Sequence, residues 1–247
     1  ITFLGLDMIK EPILISATAH YSMGGIPMNK DGHVRKNNTE YVEGFYAAGE
    51  CSCSSVHGAN RLGANSVLEA LLFGRFVGKT MVDDVDNITL RPATQADAQR
   101  MVDEINWALT NHGQESVSQL RNELQDSMTE NAGVFRTHET LTAQMAILEN
   151  LRERYKNISI KDKSKIFNTE LQEAIEFGHM LDYSLFIVAS ALARKESRGA
   201  HFREDFPTRD DENFLKHTMA YMDENGKITL DYMDVTLGKH EIKARTY

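Results

Sequence analysis

A chain of 247 residues, 41% of them hydrophobic, has enough apolar material for one large domain or two smaller ones with a real core. A net charge of −9 and a pI near 5.5 argue against nucleic acid as a partner, because phosphate binding needs a basic face. No apolar run approaches the ~20 residues that cross a bilayer; the longest, residues 183–193, is bounded by Asp182 and Arg194.

Residues 1–15 are apolar around a Lys10-Glu11-Pro12 break and read as a connector feeding a strand. Thr18 to Ile26 is predicted as a strand into a turn, where Gly24-Gly25 lets backbone pass close to something bulky. Pro27 to Thr39 is polar and turn-rich, with Asp31-Gly32 as a hairpin signal. A second strand is predicted over Val42 to Ala48. A loop with Gly49, Gly58 and Gly63 follows, and then an apolar helix to about Val82. Asn65 and Ser66 are N-cap residue types where that helix should begin. Residues 1 to about 85 therefore read as part of an α/β layer with too few strands to close its own sheet.

Asp83 to Arg91 is acidic, predicted irregular, and ends at Pro92, so we place a domain boundary there. Thr94-Gln95-Ala96-Asp97 resembles a capping box. Spacings of three and four then mark four buried helical faces: Met101, Ile105, Ala108; Val117, Leu120, Leu124, Met128; Leu141, Met145, Leu148, Leu151; and Leu181, Leu185, Val188, Leu192. Gly113 and Gly133 are candidate stops. Residues 94–195 are thus predicted to be a helical bundle, with the Lys161 to Lys165 run as a solvated loop. In the tail, residues 196–247, a charged loop precedes two strand-like stretches, Phe214 to Met222 and Lys227 to Val235. Asn225-Gly226 between them signals a type I′ hairpin.

The loop before the first helix carries the chemistry. A helix start offers unpaired backbone N–H groups and the positive end of a dipole. Arg61, a few residues earlier, is a fixed cation whose two-pronged donors suit carboxylate or phosphate. Such crossovers are common in α/β domains, so spacing alone leaves an anion site and an ordinary surface loop equally open. Cys51 and Cys53 are too close in sequence for an unstrained disulfide. With His57 they would still lack a fourth metal ligand, so they read as free thiols, compatible with a reducing compartment.

The wording of His57-Gly58-Ala59-Asn60-Arg61-Leu62-Gly63-Ala64-Asn65-Ser66 is more specific than its spacing. Together with Thr18-Ala19-His20-Tyr21-Ser22-Met23-Gly24-Gly25-Ile26 and Glu196-Ser197-Arg198-Gly199-Ala200-His201, it closely resembles the flavoprotein subunit of succinate dehydrogenase and fumarate reductase. The segments stand in that family's order and run nearly end to end, but match only the C-terminal part of such a subunit. The resemblance implies a fold of α/β plus α, with a partial FAD-binding α/β layer, a helical bundle and a C-terminal β-hairpin module. It implies interconversion of fumarate and succinate by hydride transfer with FAD. Electrons would pass to an iron–sulfur subunit, with membrane anchor subunits beyond it, placing the protein at a membrane through its partners, on the cytoplasmic face ahead of the periplasmic one.

By position, His20 and Arg61 look like the family's substrate-carboxylate residues, and Glu50, Ser66 and Val67 like its FAD contacts. Both roles make chemical sense. A cationic clamp on one carboxylate makes the fumarate double bond a better hydride acceptor, and a helix start stabilises a reduced, anionic flavin. His57 is expected only to pack the loop, and His201 with Arg198 to bridge the tail to the flavin layer. Ser16-Ala17 stands where the family usually has Arg-Pro, altering local stiffness. The family's G-x-G-x-x-G loop, its flavin-linked histidine, its capping domain and its proton-shuttling Arg would all belong upstream of Ile1. We therefore expect a truncated piece with no catalytic proton shuttle of its own, which alone neither holds FAD firmly nor turns over. Two other readings are a fragment of an L-aspartate oxidase, which shares the Glu-Ser-Arg-Gly motif, and a non-catalytic module that docks an iron–sulfur subunit.

Overall fold

The computed structural model describes residues 5–7, 9–15, 20–89, 92–239 and 242–243, without the side chain of Asp97. The Ser16-Ala17 departure lies outside these residues, and so does the carboxylate of the expected capping box at Asp97.

The N-terminal part is a small β layer against one long helix. Strand β1 (Ile26–Pro27) pairs in parallel with β4 (Ser52–Cys53), and β2 (His33–Arg35) pairs antiparallel with β3 (Tyr41–Tyr46). The strand predicted from Thr18 is much shorter than expected. Its first two residues are outside the described ones, and residues 20–25 are irregular. The cause is the glycine pair: Gly24 and Gly25 take φ of 152° and 135°. A Cβ at Gly25 would lie 2.7 Å from the Cys51 carbonyl oxygen, the same oxygen that accepts from Ile26 N–H at 2.9 Å. The expected close passage is therefore backbone against backbone. Asp31-Gly32 does turn the chain, closing Met28 onto Val34, with Asn29 Oδ1 accepting from the Asp31 and His33 amides.

Helix α1 (Asn65–Asp84) outruns its predicted end, because Asp83 and Asp84 are its last turn rather than irregular chain. Asp84 is bound there by His33 Nε2 (2.8 Å) and the Tyr46 hydroxyl (2.7 Å), which tie the helix end to β2 and β3. The helix start is also not as expected. Neither Asn65 nor Ser66 is the cap; Ala64 is, in the left-handed region at φ 69°, with no side-chain hydrogen bond to the first turn. The turn closed by Asn65 N–H on Leu62 C=O puts the chain into the helix one residue earlier than an Asn cap would allow. α1 turns Glu69 and Val77 inward, while Leu68, Leu71 and Phe76 are exposed.

The bundle follows prediction closely: α2 (Gln95–Thr110), α3 (Val117–Ala132), α4 (His138–Tyr155) and α5 (Thr169–Ala193). Leu120, Leu141, Leu148, Leu151, Phe177 and Val188 are fully buried in one core. Met101 is the exception at 66% exposed, because α2 joins that core only from Ile105 onward. Gly133 is the C-cap of α3, at a negative φ of −71°. Gly113 stands beyond α2, where its N–H reaches the Ile158 carbonyl. By length and composition α5 could cross a membrane, contrary to the reading of its apolar run, because interspersed charges do not lower its mean hydropathy enough. In this fold its Ala174, Phe177, Leu181, Leu185 and Val188 face α3 and α4 in the core.

The tail carries the short helix α6 (Asp211–Phe214) and the hairpin β5 (Lys216–Met222) with β6 (Ile228–Asp234), paired over seven residues. Its turn is not type I′, which needs positive φ at two residues. Only Gly226 has it (φ 77°), and the Asp223 amide pairs with the Lys227 carbonyl around a three-residue loop.

Candidate functional site

The loop between β4 and α1 is built by short-range bonds. Gly49 turns at φ 79° against Ala70, and buried Ser52 returns both its amide and its hydroxyl to the Gly49 carbonyl. Ser55 takes a left-handed φ of 70° and accepts from the Gly58 amide, while the His57 carbonyl accepts from Asn60. The loop is thus wound tightly before Arg61, and Arg61 N–H itself donates to the Met23 sulfur at 3.2 Å.

Arg61 has its guanidinium 4.0 Å above the Tyr21 ring, with Nη1 3.2 Å from Glu50 Oε1. The structure therefore brings together two residues that were assigned separate roles, Arg61 for substrate and Glu50 for cofactor. His20 is exposed and directly precedes the tyrosine under Arg61. Ser66 and Val67 lie in the first turn of α1, Ser66 half-buried and Val67 exposed. The Ala64 cap takes no side-chain hydrogen bond from that turn, so the Ser66 and Val67 amides are candidate anion donors. At Gly58 and Gly63 no atom would meet an added Cβ within 4 Å, so backbone is open to close approach beside Arg61.

His57 does more than pack the loop. Its Nε2 is 2.8 Å from Glu69 Oε2, and Ser54 Oγ donates to the other oxygen of that carboxylate at 3.0 Å. The edge of the Tyr21 ring meets His57 at 6.4 Å, with the two rings at 82°. Burial raises the pKa of the Tyr21 hydroxyl, and Glu69 adds to the rise. Burial also pushes the neighbouring Cys53 thiol up, against a lowering by the Ser55 backbone bond. Sequence reasoning assigned no role to Tyr21 or Glu69. The signal that could have found Glu69 is a lone acid in the apolar stretch Val67 to Phe73, following a loop that holds a histidine.

The expected bridge between tail and loop exists, but other groups make it. Arg198 turns to Glu196 and Asp211, and His201 accepts from Arg136 at 3.1 Å. Ala200 N–H donates to the Ala59 carbonyl at 2.8 Å, Gly199 is so close that a Cβ there would lie 2.2 Å from the same oxygen, and His217 Nε2 lies 3.1 Å from Ser55 Oγ.

Comparison with known proteins gives the family. Residues 1–67 match the family described as "FAD binding domain". Residues 121–247 match "Fumarate reductase flavoprotein C-term", and the chain belongs to this family of fumarate reductase and succinate dehydrogenase flavoproteins. The succinate dehydrogenase flavoprotein subunit of Rickettsia conorii is 43% identical over 95% of this chain and 40% of its own length. The fumarate reductase flavoprotein subunit of Proteus vulgaris is 41% identical over 99% of this chain and 41% of its own. A solved quinol fumarate reductase of E. coli superposes with a TM-score of 0.86 at 38% identity, covering 97% of this chain and 40% of that one. The chain thus spans about 40% of the length of the curated relatives it matches.

Proposed function

We propose that this chain supplies the C-terminal part of a flavoprotein that interconverts fumarate and succinate, with Arg61 and His20 holding one substrate carboxylate. The observation that carries this reading is the Arg61 guanidinium, stacked on Tyr21 beside an uncapped helix start, in a chain of the fumarate reductase flavoprotein family. FAD, when bound, supplies the hydride acceptor or donor. The residues here fit it: the first-turn amides at Ser66 and Val67 offer donors to an anionic ring edge, Val67 offers an apolar contact, and the open glycines admit a flat group. Glu50, already at Arg61, would accept a hydroxyl on the cofactor.

In this mechanism the chain's residues orient and polarise. Arg61 withdraws charge from the carboxylate it binds, most strongly where hydride transfer builds charge there, and so lowers the barrier rather than only tightening the complex. His20 donates to the same carboxylate from the segment that also carries Tyr21. Electron transfer to an iron–sulfur subunit, and attachment to a membrane through further subunits on the cytoplasmic face, complete the proposal; the relatives' names as subunits support an assembly of this kind. The test is reconstitution with the preceding part of the subunit. FAD-dependent reduction of fumarate, or oxidation of succinate, should fall by about 100-fold or more in kcat/KM for Arg61→Ala. Turnover of L-aspartate in place of either diacid would overturn the assignment.

A further inference from the structure

We propose that Tyr21, braced by the His57–Glu69 pair, is the positioning residue that aims Arg61 at its ligand. This inference rests on the dicarboxylate reading above and adds to it the device that makes the arginine competent. A free arginine side chain samples many rotamers, so a useful clamp has to be held before its ligand arrives. The Glu50 carboxylate is poorly suited to hold it, being 72% exposed, and ion pairs with exposed partners contribute little. It would also compete with a substrate carboxylate for the same N–H groups.

The Tyr21 ring does not compete. It lies against the guanidinium carbon, 4.0 Å from the ring centroid, and a ring face takes no conventional N–H hydrogen bond, so this contact leaves the N–H groups for a carboxylate. The ring is in turn held in place. His57 meets its edge at 82°, and His57 is fixed by Glu69, whose side chain is 3% exposed and also bound by Ser54. The Met23 sulfur anchors the Arg61 backbone from the same segment as Tyr21. The cavity among Tyr21, Ser54, His57 and Glu69 is about 20 Å³, room for one water and no more. The contacts of these groups lead to Arg61.

Two measurements test this. In the FAD-loaded full-length subunit, malonate is titrated calorimetrically as a non-reacting diacid, and fumarate kinetics are recorded beside it. Tyr21→Leu should raise the malonate Kd and the fumarate KM about 10-fold and lower kcat as well, because a misaimed Arg61 also stabilises less of the charge built in the transition state, and Tyr21→Phe should restore all three, since its ring keeps the face. In an Arg61→Lys background, Tyr21→Leu should add no further loss. In the present chain, the guanidinium proton of Arg61 should show an upfield ring-current shift by NMR that vanishes in Tyr21→Leu and returns in Tyr21→Phe. His57→Asn should move the Kd in the same direction by a smaller factor. A Tyr21→Leu protein with unchanged Kd, or an Arg61 resonance indifferent to the ring, overturns the positioning role. A wild type that holds FAD and shows the ring-current shift, but binds no malonate, overturns the dicarboxylate reading and leaves Tyr21 as the arginine's support.

Discussion

Arg203 shows how a single residue can tie distant ends of this molecule together. It is 1% exposed and spends its donors in two directions: Nη1 on the carbonyls of Ala191, Leu192 and Arg194 at the end of α5, and Nε and Nη2 on both oxygens of Asp205. Asp205 also accepts from the His138 amide, the first residue of α4. One ion pair, its arginine buried and its aspartate at the surface, thus caps the C-terminus of one core helix and the N-terminus of another, where a cation and an anion respectively suit the helix dipoles. The Arg203 guanidinium holds the Asp205 carboxyl down at about 2. Replacing Arg203 by Met should leave three carbonyls at the end of α5 without their donor, costing about 1–3 kcal/mol. Urea titration followed by the fluorescence of Trp107, the single tryptophan, which packs on Tyr155 in the bundle, would read that loss. Nothing in the spacing of the charged tail announced this, because periodicity identifies apolar faces and cannot tell a solvated arginine from a buried one.

Among the elements, the bundle is the most legible. Its four helices lie where the three-and-four spacing put them, because an apolar stripe has one way to leave water when similar stripes are adjacent. Leu148→Ala, at a fully buried position of α4, should cost about 2–5 kcal/mol in the same urea titration. The β layer is less legible because long-range backbone contacts decide it. Gly25 sits where a side chain would collide with the Cys51 carbonyl, in a backbone region that disfavours other residues. Gly25→Ala should break the β1–β4 pairing first, so hydrogen exchange at the Ile26 amide should accelerate well before the bundle loosens. The hairpin turn was identified by its Asn-Gly pair but misassigned in type. The Asp223 carboxylate takes the amides of Asn225 and Lys227 and so stabilises a three-residue loop over a two-residue one.

For the whole molecule, the junction of tail, bundle and loop is the part that acid should loosen. Burial lowers the pKa of His201 to about 4, and Arg136, Arg194 and Arg203 around it push the same way. A base with a depressed folded pKa holds fewer protons than the unfolded chain between the two values, so its contribution is complete above pH 6.5 and lost as pH falls towards 4. The loss is at most about 3 kcal/mol. Thermal melts between pH 7 and 4 should show that slope, and His201→Asn, which keeps an acceptor for Arg136 without titrating, should flatten it. The tail also reaches the β layer through Ala200 on Ala59, His217 on Ser55 and Asn38 on Tyr232, so loosening there should extend to the Arg61 loop. The sequence by itself determined the class: an α/β piece, a helical bundle, a hairpin tail and the motifs of a flavoprotein family, all of which depend on local spacing and residue type. Only the tertiary structure decided that Arg61 lies on Tyr21 and against Glu50, that Glu69 turns inward to His57, and that the tail touches the loop through Ala200 and His217 rather than through Arg198 and His201. These are contacts between segments distant in the chain, and chain spacing carries no information about which surfaces will meet.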